Sequence, residues 1–462
     1  MGTSKLKANP LEGNIIKNLI IFALPVMGVS LLHMLFSSFD TMVVGKFGHP
    51  NAMSAIGASG SIIWLLIGSI MGCSGGVSMV IGNLYGQGEK GRINKIVNAI
   101  PLSVGFVSVL MALFAIIFAE PILGIVNCPA EILDGAKLYF RIYFCAVPFM
   151  TTFSFLTAAV QAKGDSFTPF IMQVVSQAIN LSLNLLFVIV FDWNLLGVAL
   201  GTVFAQAAAF IMMIIYLAKN KEELHLKLRE LRFFKGTGEI WRKGIPASLE
   251  GVALSLSTVY ISSLINKYSP DVIAGNTVAD SIEGILMVAF MGFESGAVVF
   301  ISQNLGAKNL KRVRKSYVAT MLFVVGLSEL MGACVLLFAK PLVGLFIDST
   351  MGNATVIASV AIHKLFCLTM FYGLCGTMNS IFGCIRGLQD AKTPLIISII
   401  ASVIFRTAWV AIVPAMTGKI ESIYMAFPLT WFISTALGMI AFEIIFNKRK
   451  KELGKSDLIE KA

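Results

Sequence analysis

Asp40, Glu250, Asp280, Glu283, Glu294 and Arg406 are charged residues set within long apolar stretches. In hydrocarbon an ionised side chain costs about 2.5–3.5 kcal/mol even on lenient insertion scales, so each must find a partner, water or a proton. A carboxyl group that gains and loses a proton there is a natural coupling site. Asp40 is the leading candidate, because it lies downstream of Pro25, whose missing N–H and ring clash bend a helix and free a carbonyl. Placed a few residues further out, the same Asp40 is an ordinary acid at the membrane surface. Gln173, Gln177, Asn180 and Asn184 recur at i, i+4, i+7 and i+11 and form one polar stripe on a helix. A stripe of amides does not face lipid. Asp280, Glu283 and Glu294, at spacings of three and eleven, share roughly one face at 3.6 residues per turn, and Glu250 precedes them by one span. Two readings stand for these acids: ion pairs that use Arg406 as counter-charge, or an acidic wall that selects cations by charge complementarity. Arg386 lies near the end of the neighbouring span ten.

The elements that must position these residues are membrane helices. Of 462 residues, 56% are hydrophobic and only 13% charged, where an ordinary soluble domain carries about 25%. Apolar stretches near or above the roughly 20 residues that cross a bilayer recur along the whole length. Twelve spans are expected, at 15–39, 52–82, 97–119, 136–161, 168–191, 196–218, 244–265, 274–301, 317–339, 357–384, 394–414 and 420–446. The net charge of +11 does not point to nucleic acid, because the basic residues sit in alternate loops. Lys90, Arg92 and Lys95, the cluster from Lys219 to Lys243, Lys308 to Lys315, and Lys448 to Lys455 mark cytoplasmic loops and cytoplasmic termini by the positive-inside rule. Seven cysteines without a CxxC pair and four scattered histidines suggest neither a disulfide framework nor a metal site. The first apolar run is too long for a signal peptide and reads as span one.

Four anchors recur in order about 220 residues apart. Pro25 matches Pro246; Gly86 with Arg92 and Lys95 matches Gly306 with Arg312 and Lys315. Glu120-Pro121-Ile122-Leu123-Gly124 matches Lys340-Pro341-Leu342-Val343-Gly344, and Gly164-Asp165 with Thr168-Pro169 matches Gln389-Asp390 with Thr393-Pro394. Six spans per repeat is an even number, so the halves enter the membrane in the same orientation, an architecture common in transporters. The expected fold is therefore all-α and polytopic, with twelve transmembrane helices as two pseudo-symmetric six-helix bundles. The division is a first lobe at 1–218, a linker at 219–243, a second lobe at 244–447 and a basic tail at 448–462. Aligned by the repeat, Asp40 faces Ile261, and Asn180 and Asn184 face Phe405 and Trp409.

Phe39-Asp40-Thr41-Met42-Val43-Val44-Gly45, Ala55-Ile56-Gly57-Ala58 and Ser302-Gln303-Asn304-Leu305-Gly306-Ala307, in order and with twelve spans, resemble the bacterial multidrug and toxic compound extrusion (MATE) transporters. The resemblance implies two V-shaped lobes around a central cavity and export of cationic amphipathic compounds in exchange for protons or sodium. It also implies a first-lobe cation site of Asp40, Asn180, Asn184 and Thr202. The family pattern favours Asp where Asn184 stands, leaving one carboxylate, which tilts the coupling ion toward H+ without excluding Na+ at those four residues. Sodium-coupled relatives place a further acid in span seven, where this chain reads Ala253-Leu254-Ser255.

The function expected is secondary active antiport by alternating access, with Glu250, Asp280, Glu283, Glu294, Arg406, Gln173 and Gln177 as substrate-binding residues. A flippase for a lipid-linked precursor of the same wider superfamily is the alternative, opposed by the acidic intramembrane charge. A membrane-embedded enzyme is a further one, opposed by the lack of HExxH, GxSxG or a phosphate loop. No cofactor, metal, nucleic acid or obligatory protein partner is expected, only small-molecule substrates and membrane lipids, in a monomer in the bacterial cytoplasmic membrane. The 34 Phe and 22 Met offer adaptable apolar surface for a promiscuous pocket.

Overall fold

The computed structural model describes residues 7–47, 52–125, 128–220, 224–347 and 353–459. Long apolar runs become helices because a backbone in lipid must satisfy its own N–H and C=O groups. In the first half these are α1 (Ile15–Phe47), α2 (Ala52–Cys73), α3 (Gly75–Gly86), α4 (Lys90–Ile117), a short α5 (Ala119–Ile125) and α6 (Ala130–Ala162). Next come α7 (Phe167–Leu185), extended by a π turn at Leu186–Val190, and α8 (Asn194–Lys219). In the second half they are α9 (Thr237–Ile265), α10 (Pro270–Gly306), α11 (Leu310–Leu337), a short α12 (Ala339–Gly344), α13 (Ala354–Thr369) and α14 (Tyr372–Gly387). There follow α15 (Lys392–Ser398), a π turn at Ile399–Phe405, α16 (Arg406–Thr417), a short α17 (Glu421–Tyr424) and α18 (Ala426–Ile459). Among the described residues eleven helices are long and apolar enough to cross a membrane, and the α13–α14 pair, bent by 55°, makes up to twelve.

The anchors of the repeat are the same turns in both halves. Gly164 and its counterpart Gln389 both take positive φ, at 103° and 71°. Asp165 Oδ1 then accepts the Thr168 N–H at 3.0 Å while Thr168 Oγ1 bonds Oδ2 at 2.9 Å. Asp390 does the same for Thr393, at 3.1 and 3.0 Å. Each carboxylate caps the helix that follows. In the first half Asp165 also pairs with Lys7 at 2.8 Å. Partial burial opposes the Lys7 charge, but that carboxylate outweighs it and holds the lysine above its usual pKa.

By packing, the chain divides into two compact units: Gly28–Ser248 with the start of the chain, and Asn9–Met27 with Leu249 onward. This differs from the division expected from sequence, which kept each half whole. The cuts fall two residues after Pro25 and two after Pro246, where the helical ladder is already interrupted. In the first unit Gly72 and Gly76 admit the first part of α9: a Cβ on Gly72 would press on Ser248, and one on Gly76 would overlap the Ile240 carbonyl and the Gly244 backbone. In the second unit Gly292 and Gly296 admit the first part of α1, meeting Ala23, Met27 and Leu19, and Phe22 packs edge-on to Phe300 at 6.3 Å. The two glycine pairs lie 220 residues apart, and both are GxxxG, the spacing that lets membrane helices approach backbone to backbone. Asn304, in the second unit, bonds the Pro10 carbonyl at 3.0 Å, and Arg312 bonds it at 2.9 Å.

The core of the first unit gathers around α6, where the tilted rings of Phe140 and Phe144 lie 4.5 Å apart and Phe155 meets Trp241 at 5.4 Å. Its counterpart in the second unit is the broken pair α13–α14, around which Phe290, Tyr372 and Trp431 pack. The Gly76 contact is with unyielding backbone. Gly76→Ala is therefore expected to cost about 1–3 kcal/mol, whereas Gly68→Ala, with open space at its Cβ, leaves thermal unfolding in detergent unchanged or slightly raised.

Candidate functional site

In the first unit the amide stripe exists as read. Gln173, Gln177, Asn180 and Asn184 are all buried on α7, facing α8, where Thr202 and Gln206 are buried too. Asn184 Nδ2 donates to Asn180 Oδ1 at 3.2 Å, Asn180 Nδ2 donates to Thr202 Oγ1 at 3.4 Å, and Thr202 donates to the Val198 carbonyl at 3.2 Å. Gly201 makes this possible, since a Cβ there would overlap Asn184 Oδ1. Ser176 ties the two helices further, donating to the Ala205 carbonyl at 2.7 Å. Gln173 Nε2 is buried without a partner among the described residues. Ser176 and Gln206 were not singled out from sequence, although Gln206 lies one turn beyond Thr202. Asp40 belongs to α1, but its side chain lies outside the described residues.

The second unit holds charge. Arg386, on α14, pairs with Glu294 of α10, and its Nη2 lies 3.5 Å from Glu250 Oε1 on α9. The approach depends on Gly383, three residues before Arg386, where a Cβ would collide with the backbone of Glu294 itself. Glu250 is 4% exposed, and its Oε2 and the Arg386 Nε have no partner among the described residues. Two carboxylates thus share one guanidinium, and the cluster carries a net negative charge whenever both are ionised.

Asp280 and Glu283 belong to a different cluster. Asp280 pairs with Lys364 of α13, which is buried and lies 6.0 Å from the Tyr424 ring centre. Glu283 is half-buried within electrostatic reach of both, with Oε1 unpartnered. At 1.5 Å per residue, Asp280 and Glu294 are about 21 Å apart along α10. The shared helical face is real, but the acids form two clusters rather than the single acidic wall that is one of the two readings of the sequence.

Arg406 is not the counter-charge of any of these acids. It donates from Nε and Nη2 to Thr430 Oγ1 at 3.0 and 2.9 Å and lies 4.7 Å over the Phe427 ring. The cations that meet these acids come instead from span ten, Arg386 and Lys364. A lysine within the apolar run 357–384 is the signal that identifies Lys364; nothing local in the sequence prefers Arg386 to Arg406. Glu329 is a further acid missed in span nine. Its Oε1 accepts the Gly373 N–H at 2.9 Å and so caps α14 where span ten breaks.

Removing Arg386 leaves the buried Glu250 and the partly buried Glu294 without a cation. Arg386→Gln is expected to lower stability in detergent by about 3–5 kcal/mol. Glu294→Gln costs less, because Glu250 retains the guanidinium, and the double variant recovers part of the Arg386→Gln loss. Additive losses in thermal unfolding would show that the groups are not coupled.

Comparison with known proteins agrees with the duplication. The family model MatE matches twice, at residues 25–186 and 246–410, each copy opening at one of the paired prolines. Relatives include the probable multidrug resistance protein YoeA of Bacillus subtilis, 25% identical over 94% of this chain and 95% of that protein. The probable multidrug resistance protein NorM of Thermotoga maritima is 23% identical over 95% and 91%. The Multidrug export protein MepA of Staphylococcus aureus is 25% identical over 72% and 74%. The fold matches the Vibrio cholerae MATE transporter VcmN in its bent form, with TM-score 0.86 and 19% identity over 94% of this chain and 98% of that one. It equally matches an outward-facing multidrug resistance MATE family transporter, with TM-score 0.86 and 18% identity over 96% and 98%. With the repeat, the span count and a family match over most of its length, the chain is a multi-pass helical membrane protein that belongs to the MatE family.

Proposed function

We propose that this protein is a secondary active antiporter that exports cationic amphipathic molecules across the bacterial cytoplasmic membrane, both termini cytoplasmic, in exchange for protons. The observation that carries the reading is the asymmetry of the two units. The first unit gathers neutral oxygens, Asn180, Asn184 and Thr202, on the helices that follow the Asp40 part of α1 in sequence. The second concentrates Glu250, Asp280, Glu283 and Glu294 against two paired cations among the described residues, Lys364 and Arg386.

An excess of acid in a low-dielectric interior favours a cationic solute and disfavours an anionic one. Sodium requires several hard oxygens at once. Here Asn180 Oδ1 already accepts the Asn184 amide, and Asn184 replaces a carboxylate, so one tunable acid, Asp40, is left to carry the coupling ion as a proton. The names of the relatives, multidrug resistance and multidrug export, support a xenobiotic substrate. Alternating access then needs Asp40 to load from outside and release inside, with solute and proton using the protein in alternation.

In proteoliposomes, ethidium efflux is expected to follow a proton gradient and to collapse in Asp40→Asn. Full gradient-driven transport in that variant, or drive by sodium alone, would remove Asp40 from the role or replace the ion. Glu283→Gln and Glu294→Gln are expected to weaken transport of cations on the order of tenfold, the equivalent of ~1.4 kcal/mol, and of neutral compounds much less. Equal losses for both solute classes would reject charge selection.

A further inference from the structure

Arg406 opens α16 directly after the π turn in span eleven, and it is 3% exposed. A guanidinium has five N–H donors. Two meet the one hydroxyl of Thr430, the Phe427 ring lies 4.7 Å away, and no carboxylate pairs with it among the described residues. Thr430 is neutral and already donates its own hydrogen to the Ala426 carbonyl at 2.5 Å, so it relieves none of the charge. The buried Lys364 and the largely buried Arg386 of this unit each hold a carboxylate. Glu283 comes near only indirectly: Cys375 lies within electrostatic reach of both Glu283 and Arg406, and the two make no ion pair.

The surroundings of Arg406 continue the pattern. Ser402, four residues before it, and Ser434, four residues after Thr430, are fully buried, and neither hydroxyl has a partner among the described residues. Spans eleven and twelve are consecutive and pack on one another, so they run in opposite directions. Position 402 therefore lies on the same side of Arg406 along the membrane normal as position 434 lies of Thr430. The wider i to i+5 bonding of the π turn keeps Ser402 close to the face of Arg406. By this register a cation answered only by a hydroxyl and an aromatic ring shares one helix seam with two idle hydroxyls, and no carboxylate pairs with it among the described residues.

We infer that this seam is an anion site, in which Arg406, Ser402 and Ser434 bind a small monoanion: a free halide or the carboxylate group of a solute. A metal ion or a cationic amphiphile is repelled by the guanidinium, and one fixed charge matches one negative charge. The site is distinct from the acidic clusters, and its occupancy is read without transport, so it stands or falls independently of export.

The test uses full-length protein in detergent at constant ionic strength, with sodium isethionate replaced in turn by chloride, bromide and acetate. Wild-type protein is expected to show a saturable rise in melting temperature, as a ligand bound only to the folded state requires. Arg406→Gln should lose that rise, and Ser434→Ala should weaken the half-saturating concentration about threefold or more. Because Arg406→Gln removes a buried group, anomalous scattering from bromide in wild-type crystals gives a second reading, with a peak expected beside the guanidinium. Stabilisation by halide and acetate alike identifies a free-anion site. Stabilisation by acetate alone, again lost in Arg406→Gln, identifies the carboxylate of a solute. No response to any of the three anions, or an equal response in Arg406→Gln, overturns the assignment.

Discussion

A bilayer supplies no water to a charged side chain, so every ionised group within the spans has to be answered by the protein itself. The second unit is organised by that demand. Glu250 and Glu294 come from two helices to one arginine of a third, Asp280 reaches the single lysine of span ten, and Glu329 is taken up by a backbone N–H at a helix break. These contacts require helices to approach more closely than side chains usually allow. Gly383 and Gly373 provide the approach, the first against the backbone of Glu294 and the second against the Glu329 carboxylate. Charge pairing and small residues on α14 are thus one arrangement.

The scaffold beneath is built twice. Paired glycines at 72/76 and 292/296 receive the proline-containing first helices, and Asp165 and Asp390 cap the same turn in each half. Backbone geometry is what a duplication preserves, because close approach and positive φ tolerate few side chains. The chemistry has diverged on top of it. Amide and hydroxyl groups fill the buried seam of α7 and α8, while the equivalent part of span eleven carries Phe405, Arg406 and Trp409. A neutral network is adjustable at low cost. A charged one holds a fixed arrangement until a proton or an ion changes its balance.

Span ten shows how such a balance can be tied to shape. Its counterpart α6 is continuous through Pro148, whereas α13 and α14 meet at 55° around Met370 and Phe371. Lys364 lies before the break, Arg386 after it, and the Glu329 cap at it. Among the described residues, the one span bent this sharply therefore carries both cations that pair with the acidic clusters.

The sequence alone determined that the chain is a run of membrane-length helices and that it is duplicated, because hydrophobic run length and repeated turn residues are local quantities. It also determined that Gln173, Gln177, Asn180 and Asn184 share a face, since that follows from helical periodicity. It did not determine which arginine answers which acid. Arg386 and Glu294 are 92 residues apart, and the choice between Arg386 and Arg406 rests on how α14 and α16 are rotated about their axes. Nor could spacing show that Asp280 and Glu294, on one helical face, serve different partners about 21 Å apart. Pairing across helices is decided by packing, where glycines set which backbones touch, and only the tertiary structure contains that information.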